Sequence, residues 1–599
     1  MRSIANSPRP APLAAAALAL ALLVPGCAQD SKTAPPDAAA RVDDLAEEAW
    51  QALLARSPFL QVTQGELVRQ IHDLTPEQAA EDIAFARSVI ERIEAIATED
   101  LDHERVLTLR VLRWDAEQAI ATEPYYWLNF PMTPYSAGFS ISFLHQIFGQ
   151  HPFEEGAGHA ANYSGLVDEY ADHIEQLRTH VEGQVERGIR LARPALPAVR
   201  QLFRAYRGGV RAALSVDEAR LVALSEEERS GFTGRVDAAI GARIEPAYDA
   251  LLAVLESPEY QDSAPETVGL SQYPDGEAYY RVLVRAHTTM GTTPEELHEL
   301  GKQRVADLAA EMASIREKLG FTGTQREFHD QLRTDPRFVA ETPADVEARF
   351  NDYIARIEPL VPDLFAAQPA ALYGVRRLDP AAEGGMTFGY YQPPSPAEPQ
   401  GLYRYNGSQL DQRSLIFAGP LIFHELVPGH HFHLALQSEN ESLPAYRRNY
   451  LGAGAFNEGW GNYGALLAAE NGLLADPYDR YGWAIFDMFI SVRLVVDTGM
   501  NLLGWSLEEG RQYMRDHTFQ SETEIATESL RYSTDMYGQA LNYKAGLEKL
   551  LSLRKGARAR AGDDFDIRDF HSAVLGSGAL PMEILEEHLD WTFEQDQAD

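Results

Sequence analysis

The feature that most constrains this chain is a helical periodicity through its first half. From "RVDDLAEEAWQALLARSPFLQV", which begins at Arg41, to about residue 320, apolar residues recur three and four positions apart with Glu and Arg between them. This spacing is typical of amphipathic α-helices. One helix start is well marked, because Thr293 can cap a helix, Pro294 suits its first position and Glu296 completes a capping box. The pattern predicts a mainly α-helical body, which we expect to have two lobes.

Two segments interrupt this pattern. The segment "PYYWLNFPMTPYSAGFSISFLHQIFG" is aromatic and rich in turn-forming residues, so it could line a cleft or form a packed loop. Between residues 370 and 410, aromatic residues alternate and Pro and Gly cluster, in "ALYGVRRL", "GGMTFGYYQPP" and "GLYRYNGSQLD". These stretches predict short strands in a small antiparallel β-sheet, whose edge could pair with an extended peptide. We therefore expect an N-terminal helical lobe over 41–370 and a second helical lobe over 371–599.

The N-terminal segment predicts export. Arg2 and Arg9 precede an apolar run that is shorter than a membrane-spanning helix, and "VPGC" then places a small residue before Cys27. Cys27 is the only cysteine, which excludes disulfides and thiolate chemistry from the folded body. Because "VPGC" resembles the lipobox of bacterial lipoproteins, we predict a lipoprotein signal peptide over 1–27, a flexible tether over 28–40, and a lipid on Cys27. The alternative is an incidental cysteine that is lost with the leader.

The charge of the chain limits its partners. The formal net charge is -37, and the acidic residues are spread along the sequence. Such a surface repels nucleic acid and anionic lipid headgroups, so we expect no nucleic-acid partner. An exported protein with a lipid on Cys27 would lie in the periplasm or at the cell surface, attached to a membrane by that lipid.

The motif that points to chemistry is "HELVPGHHFH", which begins at His424. The zinc-protease signature H-E-x-x-H places two histidines four positions apart on one helical face. Here the fourth position is Pro428, and on a regular helix neither His430 nor His431 could share an ion with His424. A proline removes a helical hydrogen bond and Gly429 permits unusual dihedrals, so the helix must be distorted. A bulge that absorbs two residues would make His430 the second ligand, with His431 as the alternative.

A third ligand follows downstream. Catalytic zinc sites take three protein ligands, and a carboxylate is a common third. The first acid of the helical stretch "AFNEGWGNYGALLAAE" is Glu458, which follows His430 by enough residues for a turn and a second antiparallel helix. We predict one Zn2+ per chain, bound by His424, His430 and Glu458. Glu425 would act as general base on a water molecule that the ion polarises, and His433 would pack or face solvent.

The C-terminal motifs supply further candidates. The candidate donors to the oxyanion of a tetrahedral intermediate are Tyr532, Tyr543 and His571. Each of the three could instead be a buried structural residue. Arg531 and Lys544 could hold a peptide carboxylate or form ordinary ion pairs. Asp497 could orient a ligand histidine through its free ring nitrogen.

Several of these motifs together resemble a known family. The segments "HELVPGHHFH", "EGWGNY", "VRLVVDTG", "GQALNYKAG" and "FDIRDFHSAVLGSGALP" resemble the bacterial family DUF885, over nearly all of the chain after the tether. That family is grouped with gluzincin metallopeptidases and is distantly similar to carboxypeptidase Taq, oligopeptidases and angiotensin-converting enzyme, which are mostly helical bodies with a deep cleft. The resemblance implies metal ligands at His424, His430 and Glu458 and a general base at Glu425.

These observations predict an exported, lipid-anchored zinc metallopeptidase. A cleft within a helical body limits access, so short peptides are the expected substrates. One alternative is a metal-dependent amidase that acts on a non-ribosomal or cell-wall amide. Another is a lipoprotein that binds a peptide or a metal without turnover, for which a general base at Glu425 would have no use.

Overall fold

The computed structural model describes residues 37–380, 383, 389–396 and 398–595. The predicted signal peptide, Cys27 and most of the tether lie outside the described residues. From Ala38 onwards the chain packs as one compact unit, and the division into two lobes at residue 370 stays a prediction. None of the described helices is both long and apolar enough to cross a membrane.

The fold is mainly α-helical, as the periodicity predicts. In the first part of the chain the helices are α1 (Ala38–Arg56), α2 (Pro58–Thr63), α3 (Pro76–Glu94), α4 (His103–Thr122), α5 (Pro134–Gln150), α6 (Ala157–Glu186), α7 (Leu196–Leu214), α8 (Glu226–Ala239), α9 (Glu245–Glu256), α10 (Pro258–Ser263), α11 (Gly276–Thr288), α12 (Pro294–Lys318), α13 (Gln325–Thr334), α14 (Pro343–Ile357) and α15 (Val361–Leu364). After the sheet the helices are α16 (Ala418–Glu425), α17 (His430–Glu439), α18 (Ala445–Arg448), α19 (Gly454–Glu470), α20 (Pro477–Asn501), α21 (Leu507–His517), α22 (Glu522–Thr534), α23 (Asn542–Ala561), α24 (Ile567–Gly576) and α25 (Met582–Gln595).

Shorter helical turns join these helices. A π-helical turn, Ile240–Ile244, connects α8 to α9. The 3-10 turns are Glu123–Leu128, Arg193–Ala195, Glu218–Arg220, Leu270–Gln272, Glu358–Leu360, Leu410–Gln412, Gln539–Leu541 and Gly562–Asp564.

Local capping explains several helix starts. The predicted capping box of α12 is confirmed, because the Thr293 side chain accepts from the Glu296 backbone N–H and the Glu296 side chain accepts from that of Thr293. The aromatic segment that follows Pro124 does not form a loop. Most of it forms helix α5, since Pro134 occupies the first turn and an apolar face is buried.

The strands form one small sheet in the order β1-β3-β2, from β1 (Tyr373–Arg377), β2 (Gly389–Gln392) and β3 (Gly401–Tyr405). The positions of these strands confirm the predicted extended segments. The expected antiparallel sheet is wrong in one respect, because β1 pairs parallel to β3 while β2 pairs antiparallel to it. The most buried strand, β3, takes the central place, and this leaves β2 at an edge.

The helices that carry the candidate ligands pack closely against their neighbours. Helix α19 packs against both α16 and α23, and α20 packs along α12. The contact between α19 and α23 depends on two glycines. A Cβ at Gly546 would lie 1.9 Å from the carbonyl oxygen of Ala455, and one at Gly459 would lie 2.5 Å from the Gly546 backbone. Side chains there would force the two helices apart.

Candidate metal centre

The histidine motif lies at a break between two helices. Helix α16 ends at Glu425 and α17 begins at His430, so the predicted bulge within one continuous helix is wrong. Pro428, which has no N–H to donate, and Gly429 lie in the bend between them. Gly429 is required there, since a Cβ would lie 1.8 Å from the carbonyl oxygen of His424. The break turns His430 back towards His424, with 4.5 Å between the ring centroids.

The structure brings together the three predicted ligands. The ligand atoms of His424, His430 and Glu458 all lie within 4.8 Å of one another. The Nε2 atoms of the two histidines lie 3.5 Å and 3.4 Å from the same oxygen, Oε2 of Glu458. Among the described residues, this buried oxygen has no hydrogen-bond partner. Two imidazole nitrogens and one carboxylate are the donor set of many catalytic zinc sites, so these residues fit a zinc ion.

The other two histidines of the motif have different positions. His431 lies outside the cluster, because its Nδ1 is 3.0 Å from the Tyr391 hydroxyl and its Nε2 is 3.1 Å from the Ala371 carbonyl oxygen. Both ring nitrogens are therefore engaged, and His431 does not replace His430 as a ligand. His433 is buried, and its Nε2 lies 3.3 Å from Nδ1 of His430. It packs as expected and also steadies the His430 ring.

The residue that orients His424 is Asn462 and not Asp497. Asn462 donates from Nδ2 to the backbone carbonyl of Tyr543, which fixes its amide so that Oδ1 accepts from Nδ1 of His424 at 3.0 Å. With its proton on Nδ1, His424 offers the lone pair of Nε2 to an ion. Asp497 instead accepts from the hydroxyl of Tyr280 at 2.6 Å. The signal in the sequence was the spacing in "EGWGNY", which places Asn462 one helical turn after Glu458.

Glycines in the same segment make room for the helix break. A Cβ at Gly461 would lie 2.7 Å from the ring of His424, and a Cβ at Gly464 would lie 3.0 Å from the backbone nitrogen of Gly429. Helix α19 can therefore press directly against the bend between α16 and α17. Sequence reasoning gave these two glycines no role, although Gly459, Gly461 and Gly464 all follow Glu458 within six residues.

We expect Gly461→Ala to weaken zinc binding without unfolding the protein. The added methyl group would push the His424 ring off its position, and disturbing the support of a ligand typically costs 10- to 100-fold in metal affinity. The measurement is the zinc dissociation constant from competition with a chromogenic chelator. Gly556→Ala is the matched control, since nothing lies within 4 Å of a Cβ there. Equal affinity in both variants would contradict the role given to Gly461.

Electrostatics separate the roles of the two carboxylates. Burial raises the pKa of Glu425 to about 7, and the charge of Glu458 adds to this effect. The charge of His430 and the nearby backbone N–H of Tyr391 oppose this rise in pKa without cancelling it. Burial alone would raise the pKa of Glu458 too, but the nearby imidazole groups of His424 and His430 hold it well below the usual range. Glu425 can therefore exchange a proton near neutral pH while Glu458 stays ionised, which is the division expected between a base and a ligand.

The two ligand histidines also differ. Burial lowers the pKa of His424, and the charge of His430 lowers it further. Burial would likewise lower the pKa of His430, but the negative charge of Glu458 beside it outweighs that effect and leaves the pKa raised.

A cavity of about 490 Å3 opens beside the cluster and contains all three ligands and Glu425. Residues of the edge strand β2 form part of its wall, namely Gly389, Tyr390 and Tyr391. Apolar residues of α20 form another part, namely Ile485, Phe486, Phe489 and Ile490. Polar groups within it include Arg493, Gln520, Glu528 and Arg531. Tyr135, from the aromatic segment, also lines it, so that segment contributes to the cleft.

Two of the predicted C-terminal candidates line this cavity. Tyr543 does so with its ring 6.2 Å from that of His424. Burial and the charge of Glu458 raise the pKa of Tyr543, so its hydroxyl keeps its proton at neutral pH. Arg531 also lines the cavity, beside Glu528. The sequence did not single out Arg493 or Glu528, although Arg493 is the one basic residue in the apolar run "WAIFDMFISVRLVV".

Three other candidates lie elsewhere. Tyr532 is fully buried and is not among the residues that line the cavity. Its hydroxyl donates to Glu528, which does line the cavity, so Tyr532 supports that residue. His571 is a buried structural residue, the alternative given for it, because its Nδ1 is 2.8 Å from the Leu364 carbonyl oxygen and its Nε2 is 2.9 Å from the Tyr463 hydroxyl. Lys544 forms ordinary ion pairs, which was the second of the two alternatives for this residue. Its ammonium group is buried against Asp487, at 2.7 Å, and against Glu548, at 3.2 Å.

Comparison with known proteins agrees with the sequence resemblance. The family profile described as "Bacterial protein of unknown function (DUF885)" matches residues 58–589. A crystal structure of a candidate lipoprotein from Colwellia psychrerythraea has a TM-score of 0.81 and 23% identity, over 93% of this chain and 100% of that one. A candidate lipoprotein of unknown function from Shewanella oneidensis has a TM-score of 0.69 and 19% identity, over 92% and 99%. No curated protein matches the chain.

Proposed function

The chain belongs to the bacterial family of unknown function DUF885, and we propose that it is a zinc-dependent peptidase that hydrolyses short peptides. The observation that carries this proposal is the convergence of His424 Nε2 and His430 Nε2 on Oε2 of Glu458, with Glu425 in the same cavity. A purely structural cluster would have no need for a buried carboxylate oxygen that lacks a partner among the described residues. A site that only binds would have no need for a second carboxylate whose pKa is near 7.

The proposed reaction needs residues that bind zinc, a residue that transfers a proton and a residue that stabilises the oxyanion. When bound by His424, His430 and Glu458, zinc would act as a Lewis acid that polarises a carbonyl oxygen and acidifies water. Glu425 accepts a proton from the attacking water and passes it to the leaving nitrogen. Hydrolysis thus adds hydroxyl to the acyl carbon and hydrogen to the amine. The hydroxyl of Tyr543 donates to the oxygen that becomes negative.

The wall of the cavity favours a peptide over other amides. Among the described strands, β2 pairs with β3 on one side only, and its residues Gly389, Tyr390 and Tyr391 line the cavity. An extended peptide can add to such an edge through backbone hydrogen bonds. A cavity of about 490 Å3 holds only a few residues, which limits substrates to short peptides or chain ends.

We also propose that the protein is exported and attached to a membrane by a lipid on Cys27. The motif "VPGC" supports this, and two proteins that share the fold are described as candidate lipoproteins. The zinc site would then act on peptides outside the cytoplasm.

A peptide library tests the activity. The soluble body from residue 28 onwards, loaded with zinc, should cleave short peptides of the library, and the products should be visible by mass spectrometry. Chelation with 1,10-phenanthroline should stop cleavage and added zinc should restore it. Cleavage of cell-wall muropeptides alone would favour the amidase alternative. Binding of peptides without cleavage would favour a lipoprotein that binds but does not catalyse.

A further inference from the structure

Two arginines lie together in the cavity with a single carboxylate between them. Arg493 is 7% exposed and Arg531 is nearly as buried. Glu528 is within 3.3 Å of Nη2 of Arg493 and 3.5 Å of Nη1 of Arg531. Two buried guanidinium groups, which are always charged, therefore share one negative charge. Burying a charge without a partner is costly, so this pair is suited to a second anion.

The hydrogen bonds of the pair leave donors for such an anion. Arg493 donates from Nε to the Tyr532 hydroxyl and from Nη2 to Glu528. Arg531 donates from Nη2 to Gln539 and from Nη1 to Glu528. Within the described part of the chain, the buried Nε of Arg531 has no acceptor. A planar guanidinium with free N–H groups binds a carboxylate more strongly than it binds a neutral group, because the hydrogen bonds are charge-assisted and two can form side by side.

The distance to the metal ligands suits a chain terminus. Cζ of Arg493 lies 4.5 Å from the ring centroid of Tyr543, and that centroid lies 6.2 Å from the ring of His424. The guanidinium therefore lies no farther from His424 than about three extended residues would span. An anion held there would place a peptide bond near the ligands only if the anion belonged to one of the last residues of the peptide.

The space between these points is apolar. Phe486 lies 5.7 Å from the ring of His424, and Phe489 lies 4.2 Å from Cζ of Arg493, measured to the ring centroids. Both line the cavity. An apolar side chain next to the bound carboxylate would be removed from water there.

We propose that Arg493 and Arg531 bind the free C-terminal carboxylate of the substrate. The protein then acts on the ends of peptides and releases about one to three C-terminal residues, with an apolar side chain preferred beside the carboxylate. This inference rests on the proposed function for the cleavage step, but the carboxylate site itself can be tested without turnover.

The test compares one peptide with a free C-terminal acid and the same peptide with a C-terminal amide, both ending in Phe. Binding is measured by calorimetry on the zinc-loaded Glu425→Gln variant. Because this variant should not hydrolyse the peptide, the heat that is measured comes from binding alone. We expect the acid to bind about 10- to 100-fold more tightly than the amide, since a hydrogen bond to a charged group is lost in the amide. Arg531→Gln should bring this ratio close to one.

Arg515→Gln is the matched control, because Arg515 is also ion-paired, with Glu508 and Glu522, but lies outside the cavity. It should leave the ratio unchanged. Equal binding of acid and amide, or a ratio that Arg531→Gln does not change, would overturn the carboxylate site. If the acid binds selectively but zinc-loaded wild type cleaves neither peptide, the carboxylate site stands and the proposed peptidase function fails.

Discussion

Replacing Glu425 with Gln should abolish hydrolysis and leave zinc binding nearly intact. Glutamine has almost the same shape but cannot accept a proton, and Glu425 is not among the three converging ligands. A general base contributes about 100- to 10,000-fold to a rate. We therefore expect kcat to fall by about 1,000-fold or more, while zinc content and thermal stability stay close to wild type. The measurements are kcat for the best library peptide and zinc content by elemental mass spectrometry.

Glu441→Gln provides the control for this substitution. Glu441 is an exposed residue just after α17, so its amide variant should keep the wild-type rate. If Glu425→Gln also kept the wild-type rate, Glu425 would not be the base. If it lost zinc together with activity, Glu425 would act in binding the metal, contrary to the arrangement of ligands in the structure.

Replacing His430 with Ala should weaken zinc binding far more than replacing its neighbour His431. His430 Nε2 points at Glu458, whereas both nitrogens of His431 are engaged by Tyr391 and Ala371. Loss of a direct ligand should exceed the 10- to 100-fold typical of an outer partner, so we expect at least about 100-fold weaker binding. The measurement is the zinc dissociation constant by chelator competition.

For the comparison His431→Gln is preferable to alanine, because it keeps polar contacts to the sheet and avoids a cavity in a buried site. It should lower thermal stability somewhat and leave zinc affinity within a few fold of wild type. Weak binding in His431→Gln together with wild-type binding in His430→Ala would reverse the assignment of the second ligand.

The parts of this structure that could be predicted from the sequence are those with local causes. The helical class follows from spacings of three and four residues, and the start of α12 follows from the capping residues Thr293, Pro294 and Glu296. The ligand set could be predicted because Pro428 excludes a regular helix and because Glu458 is the first acid of the next apolar helix.

The parts that could not be predicted depend on contacts between distant segments. The spacing in "EGWGNY" places Asn462 on the same helical face as Glu458, but it does not show that Asn462 reaches His424. Nor does the sequence show that Asp487 neutralises Lys544. The proposed carboxylate site at Arg493 and Arg531 forms where α20, α22 and the start of α23 meet. The sequence predicted a bulge because Pro428 shows only that one helical hydrogen bond is missing. The path of the chain through the break also depends on the close approach of α19 at Gly464 to Gly429, which the sequence does not show.

The central claim is that His424, His430 and Glu458 together hold one zinc ion, and anomalous X-ray diffraction from crystals of the zinc-reconstituted protein tests it most directly. The account predicts one strong anomalous peak per chain, about 2.0–2.2 Å from Nε2 of both histidines and from a carboxylate oxygen of Glu458. A zinc peak bound by other residues, or none at this cluster after reconstitution, would contradict it.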